Sequence, residues 1–266
     1  MEVLMQDFSM YNPDGSPLRK AQLRMLEMLT FIDSVCQKHK INYWLGAGTL
    51  LGAVRHQGFI PWDDDVDIEM TKPDYLRLIE CLKLEMSPGY VLQTHDTDRN
   101  YVFPVAKLRD KNSKVNEMRN ANVNYKFRGV FVDIFFIERG GWFLARLSNI
   151  LYKPLYALSW LKNDRFGLLI VAKIALAAFL ERLVLPFFRL FASVLRLKSY
   201  VLPFGTGFHK NIDLKDVFPL QRIQFEGRLF NAPGRPDSYL TAMYGDYMRL
   251  PEPSQRRTHT VSIEVF

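Results

Sequence analysis

Apolar positions along the first 110 residues switch between helical and strand spacing, and the switches mark out the elements. Ser16-Pro17 reads as an N-cap followed by proline at the first helical position. Beyond Leu18, Met25, Leu29, Ile32 and Cys36 recur at helical spacing as far as Lys40. Residues 41–45 are short, aromatic and apolar, which predicts a buried strand entering a glycine turn at 46–49. A short helix over 50–56, capped by Thr49, follows. The period-two pattern of 63–70 then predicts a strand. Thr71-Lys72-Pro73 opens a helix whose buried stripe is Tyr75, Leu78, Ile79 and Leu82. Further strands are expected at 101–108 and 130–137, and at 221–230 with a glycine interruption. A short helix at 238–244 should end on Gly245 as its C-cap. Alternating strands and helices predict an α+β core.

Residues 141–200 have a different character. They are mostly Leu, Ala, Phe, Ile and Val, broken by Pro154 and Pro186. A bilayer-spanning helix wants about 20 consecutive apolar residues, and Lys173, Glu181, Arg182 and Arg189 interrupt the run well before that. Two readings stay open: insertion helices packed on the core, or a basic apolar patch lying against an anionic membrane. Arg182, Arg189 and Arg196 recur every seven residues and would share one helix face, with Lys173 on the other side.

Composition sharpens this division. The chain has 266 residues, 48% of them apolar, enough for one sizeable domain over 1–266 with 141–200 inserted into it. Nine basic and two acidic residues, Arg165 among the basic ones, give 141–200 a net +7, the whole formal charge of the chain. The basic balance therefore belongs to one segment and does not describe a nucleic-acid-binding surface. Cys36 and Cys81, the only cysteines, supply neither a disulfide framework nor a CxxC metal site. The first nine residues lack the features of a secretory signal, so a cytoplasmic location is expected.

The chemistry concentrates between residues 44 and 70. On a strand, Asp65 and Asp67 would share one face while Val66 and Ile68 enter the core. Their Cα atoms would lie about 6.5–7 Å apart, close enough to grip one divalent ion. Asp63 has the same parity and Asp64 points away. An EF-hand is excluded, because Ile68 stands where glycine is needed and Asp74 where a bidentate Glu is needed. Gly46-Ala47-Gly48-Thr49, between a strand and a helix, would aim backbone N–H groups at an anion. Arg55 is a candidate phosphate partner; His56 is assigned no role. Asp133, alone among apolar residues in its strand, must be paired or bind a metal, and is a candidate third carboxylate. Lys107, Arg109 and Lys111 alternate and could add phosphate contacts.

Taken together, these residues resemble the LicD family of phosphocholine transferases, relatives of fukutin and fukutin-related protein. The resemblance is carried by Leu50-Leu51-Gly52-Ala53-Val54-Arg55, by Gly58-Phe59-Ile60-Pro61-Trp62-Asp63-Asp64-Asp65-Val66-Asp67-Ile68 and by the strand holding Asp133. Phe103-Pro104, Lys107-Leu108-Arg109-Asp110, Phe218-Pro219-Leu220, Phe225-Glu226-Gly227 and the region 244–251 add to it. It implies a nucleotidyltransferase (DNA polymerase β-like) fold with a mixed sheet and a hydrophobic helical insertion. Asp65 and Asp67 would be the metal pair for Mg²⁺ or Mn²⁺, Asp133 the third carboxylate, and Gly48-Thr49 the signature turn. The implied reaction moves a phospho-alcohol, phosphocholine first, from a CDP-activated donor to a hydroxyl of a cell-surface glycan or its lipid-linked precursor, such as lipopolysaccharide or teichoic acid. CMP would leave. The protein would then sit in the cytoplasm, peripheral to the inner face of the plasma membrane. A DxD-type glycosyltransferase and a non-catalytic module binding glycan or lipid carriers are the alternatives.

Overall fold

The computed structural model describes residues 8–118, 121–163, 167–256, 258 and 260–266. Arg165 and the residues before Phe8, weighed above, lie outside them. Helix α1 (Pro17–His39) begins where Ser16 Oγ accepts the Arg19 N–H at 3.2 Å, and its stripe of Met25, Leu29, Ile32 and Cys36 is buried. Strand β1 (Tyr43–Leu45) leads into helix α2 (Ala47–His56). Strand β2 (Asp67–Thr71) runs into helix α3 (Lys72–Leu84), where the Thr71 hydroxyl accepts the Asp74 N–H. Strands β3 (Tyr90–Gln93), β4 (Ala106–Asp110), β5 (Ser113–Glu117) and β6 (Phe131–Arg139) follow.

The main sheet has the order β1-β2-β6-β4-β3. Only β2 and β6 run parallel in it; β1–β2, β3–β4 and β4–β6 are antiparallel. The architecture is thus mixed α/β around a mixed sheet. Strand β6 sits at the centre and is buried from Phe131 to Glu138, as an apolar run flanked on both sides should be.

Helices α4 (Trp142–Ser159), α5 (Leu168–Phe179) and α6 (Leu185–Val194) make up the inserted segment, with a single π-helical stretch at Leu180–Val184 joining the last two. They enclose a second core of Leu144, Tyr152, Leu155, Ala177, Leu185 and Phe188, closed from the sheet side by Val102 and Val201. Among the described residues no helix is long and apolar enough to cross a membrane. A short β7 (Tyr200–Val201) then returns to the sheet beside β6, and helix α7 (Leu214–Val217) follows.

Three expectations change. Residues 63–66 are not strand; β2 begins only at Asp67, because Pro61 and Trp62 make a turn that throws the aspartate run into a loop. Residues 101–105 are likewise irregular, since Pro104 has no N–H to give a ladder, and β4 starts at Ala106. Residues 221–230 form a hairpin instead of one interrupted strand. Strands β8 (Gln221–Phe225) and β9 (Arg228–Ala232) turn through Glu226 (φ 49°) and Gly227 (φ 72°), and positive φ at both central residues defines the type I′ turn suited to a tight hairpin. Helix α8 (Pro236–Tyr244) ends at Gly245 as expected, and β10 (Thr260–Val265) pairs with β5 in a separate two-stranded sheet.

Gly227 is one of the turn's two left-handed residues, so Gly227→Ala should cost about 1 kcal/mol. A lower urea midpoint at unchanged m-value would be the measured signature.

Candidate active site

Sheet register brings the key side chains together. Parallel pairing sets Asp67 of β2 opposite Asp133 of β6, and antiparallel pairing sets Lys107 of β4 opposite Asp133 from the other side. Lys107 Nζ lies 2.8 Å from the Asp133 carboxylate and 3.5 Å from the centre of the Phe131 ring. Asp67 is fixed through its backbone: its N–H donates to Thr49 Oγ1 at 2.8 Å, and its carbonyl accepts the Gly46 N–H at 3.0 Å. The Asp133 N–H donates to the Val66 carbonyl at 2.7 Å. Both aspartates are 8% exposed, so neither can swing away into water.

The aspartate loop arrives from the Ile60–Trp62 turn. The Asp63 N–H donates to the Ile60 carbonyl, and the Asp63 carbonyl accepts Gln22 Nε2, each at 2.9 Å. The Asp63 carboxylate reaches under α2, where a Cβ on Gly48 would stand 2.9 Å from Asp63 Oδ2. Asp64 turns the other way and accepts the Thr260 N–H at 2.7 Å, anchoring β10. Burial holds the Asp67 carboxyl well above its ordinary pKa, and the neighbouring charges of Asp65, Asp133 and Asp63 push it the same way. Asp63 is raised by burial and then by Asp65 and Asp64. Asp133 is raised by burial, against the pull of Lys107. Burial and mutual repulsion therefore disfavour full ionisation of the cluster, and Lys107 and Arg109 pull the other way at Asp133.

A cavity of about 180 Å³ opens on this cluster. Asp65, Asp67, Asp133, Lys107 and Glu117 supply its polar wall, and Tyr101, Phe103, Tyr125, Phe135 and Phe208 its aromatic one. Tyr101 packs edge-on to Tyr125, and Phe135 to Phe208, so ring faces meet at corners. The Tyr101 hydroxyl is buried and has no hydrogen-bond partner among the described residues. A group in that state normally awaits a ligand or water.

The approach segment is held from a distance. Glu226, at the tip of the β8–β9 hairpin, accepts the Phe59 N–H at 3.1 Å and pairs with Arg19 at 2.7 Å. A Cβ on Gly58 would fall 2.4 Å from Glu226 Oε1, so a larger residue here would push the glutamate off the Phe59 N–H and Arg19. On β2, Glu69 is fully buried and takes hydrogen bonds from Trp44 Nε1 and the Tyr239 hydroxyl. Neither Glu226 nor the Tyr101–Tyr125 wall follows from local pattern, because both contacts are made across long stretches of sequence.

Several expected ligands sit elsewhere. Thr49 does not cap α2; Gly46 holds the N-cap position, and the Thr49 hydroxyl is spent on Asp67. Gly48 lies in the first turn of α2 beside Asp63, inside the cluster. Arg55 lies about 10 Å further along the helix axis, at about 1.5 Å per residue. It is buried, donating to the Tyr247 and Arg249 carbonyls at 2.8 and 3.4 Å and to His56 Nε2 at 3.0 Å. It lines a separate groove of about 550 Å³. Arg109 is fully buried: its Nε, Nη1 and Nη2 donate to Gln93 Oε1, the Gly129 carbonyl and Glu117 Oε1 at 2.7, 2.9 and 3.2 Å. Its guanidinium braces the cavity wall and has no edge left for phosphate. Lys111 donates to the Pro88 carbonyl at the far end of β4.

The donor set suits a hard divalent cation in kind, being carboxylate oxygen at Asp65, Asp67 and Asp133. Among the described residues, however, no three His, Cys, Asp or Glu side chains are gathered as a ready-made cage. The 2.8 Å pair with Lys107 occupies Asp133 instead.

Fold and site define a mixed α/β protein with a carboxylate centre at the start of two parallel strands. Residues 40–154 match the family model described as LicD/FKTN/FKRP, nucleotidyltransferase domain. The chain is 28% identical to the lipopolysaccharide cholinephosphotransferase LicD of Haemophilus influenzae over 264 residues, covering 92% of this chain and 96% of that protein. An uncharacterized protein of Rickettsia prowazekii is 40% identical over 109 residues, 35% of this chain and 41% of its own. The ribitol 5-phosphate transferase FKRP of Homo sapiens shares 45% identity over 42 residues, 16% of this chain and 8% of its own.

Two outcomes follow from the local chemistry. Thr49→Val strands the buried Asp67 N–H and should cost about 1–3 kcal/mol, whereas Thr49→Ser should restore most of it; thermal melts of the two variants decide. His56 is depressed to about 4 by burial first and by Arg55 second, and its Nε2 must stay unprotonated to accept the Arg55 N–H. A depressed folded pKa means that its contribution is present above pH 6.5 and lost as pH falls from there through 4. His56→Gln keeps an acceptor but does not titrate, so its stability should decline less over that window in urea titrations.

Proposed function

We propose that this protein transfers a phospho-alcohol from a CDP-activated donor to a hydroxyl of a cell-surface glycan or its lipid-linked precursor, releasing CMP. The observation that carries the reading is the register-matched set of Asp67, Asp133 and Lys107 opening on an aromatic cavity. The comparisons support phospho-alcohol transfer in general, since LicD is a cholinephosphotransferase and FKRP a ribitol 5-phosphate transferase. The nucleotidyltransferase fold is part of the same reading, supported by the family model's description and by the mixed sheet.

Asp65 and Asp67 would hold Mg²⁺ or Mn²⁺, which when bound would offset charge on the donor diphosphate and on the leaving CMP, while Asp133 stays paired with Lys107. In the transfer, the acceptor oxygen bonds to the phosphorus that carries the alcohol, and the bond from that phosphorus to CMP breaks. The acceptor's proton passes to Asp133, whose carboxyl is raised by burial and oriented by Lys107. Thr49 Oγ1 fixes Asp67 through its N–H, and Gly48 leaves room for the Asp63 carboxylate. The Tyr101 hydroxyl is available as a donor to a phosphoryl oxygen. Rings meeting at right angles beside acidic groups favour a quaternary ammonium over a neutral polyol, which puts phosphocholine ahead of ribitol and glycerol phosphates. A cytoplasmic location against the inner face of the membrane belongs to the same proposal.

Asp67→Asn and Asp133→Asn should each abolish CMP release from CDP-choline in the presence of Mg²⁺ while leaving the melting curve cooperative. Near-wild-type turnover by either variant would refute the assignment. UDP release from a sugar nucleotide would favour a glycosyltransferase, and calorimetry without metal or nucleotide binding would favour a non-catalytic module.

A further inference from the structure

The inserted helices carry two apolar faces each, and the second core uses only one. On α6, Leu185, Phe188 and Ala192 are buried. At 100° per residue Phe187, Leu190 and Val194 fall on the opposite face, and they are 63%, 63% and 68% exposed. Helix α4 repeats the arrangement, with Leu144, Tyr152 and Leu155 inside and Phe143, Leu147 and Ile150 outside. Folding gains nothing from the outward set. Large apolar side chains grouped on a surface mark an interaction site.

Charge identifies the partner. Residues 141–200 carry a net +7, and Arg146, Lys153, Arg182, Arg196 and Lys198 are exposed, Arg146 and Lys153 within a quarter-turn of the outward row of α4. Arg189, the middle member of the seven-residue arginine series, is withdrawn from the surface by a 2.6 Å pair with Glu138, and Lys173 is buried. A second copy of this chain would set one +7 segment against another, and a nucleic acid would have no use for exposed Phe, Leu and Val. Apolar rows flanked by cations match an anionic lipid leaflet, where side chains enter the acyl boundary and the basic groups meet phosphates. With no described helix able to span, such a face lies on the bilayer.

We propose that the outward faces of α4 and α6 form an interfacial seat for an anionic membrane, holding the protein on the bilayer without crossing it. The full-length protein should co-sediment with vesicles of phosphatidylcholine mixed with phosphatidylglycerol, and about 10-fold less with phosphatidylcholine alone. High salt should weaken the anionic component. The triple variant Phe187→Ser, Leu190→Ser, Val194→Ser removes the apolar row, and the charge reversal Arg182→Glu, Arg196→Glu, Lys198→Glu removes exposed cations of the same segment. Each should lose about 10-fold in partitioning, with melting temperatures within a few degrees of wild type. Wild type failing to pellet with anionic vesicles would overturn the proposal, as would both variants binding like wild type. A vesicle-free dimer, seen by analytical ultracentrifugation and dissolved by the serine variant, would assign the face to a second copy instead.

Discussion

The parallel pairing of β2 with β6, in register at Asp67 and Asp133, is the constraint on which the centre depends. Parallel strands need a long crossover, and here it runs through α3, β3, β4 and β5 before the chain returns. Side chains alternate along each strand, so a slip of one residue would turn Asp133 into the core and bring a neighbouring apolar residue to the cavity. Lys107 reports the same register from β4. The pair it makes with Asp133 places opposite charges in a half-enclosed site, where attraction is stronger than in water and desolvation is costlier. Thr49 and Gly46 clamp the first residue of β2 from the other side.

How much of this was legible depended on whether the cause was local. Helix α1 announces itself through Ser16-Pro17 and a clean 3.6-residue stripe, and α3 through Thr71-Lys72-Pro73. Asp133 stands out because a lone carboxylate in an apolar strand has to be explained. The aspartate run misleads, because period-two alternation reads the same in a strand as in a loop that a Pro-Trp turn has pulled off the sheet. Parity placed Lys107 and Arg109 on one face, which holds. It could not show that Glu117 and Gln93 close over the arginine while the lysine stays at the rim. Arg55 misled for a related reason: the backbone carbonyls that saturate it lie almost two hundred residues away.

The inserted segment shows a second limit of pattern reading. Its charge count was visible, but the count treats every cation alike. Lys173 is buried and donates to the Leu161 carbonyl and Asn163 Oδ1 at 3.0 and 2.9 Å, fastening α5 to the end of α4. Arg189 fastens α6 to β6 through Glu138, whose other oxygen accepts the Phe204 N–H. These two cations are structural ties to neighbouring segments, and the exposed ones remain for the surface.

The fit of Gly58 against Glu226 bears on how such sequences should be compared. The glycine leaves room for a glutamate on a remote hairpin, and Phe59 and Trp62 are buried, so much of Gly-Phe-Ile-Pro-Trp-Asp serves the architecture. A chain with this architecture would keep that stretch whatever chemistry its cavity performs. The words of the motif therefore certify ancestry.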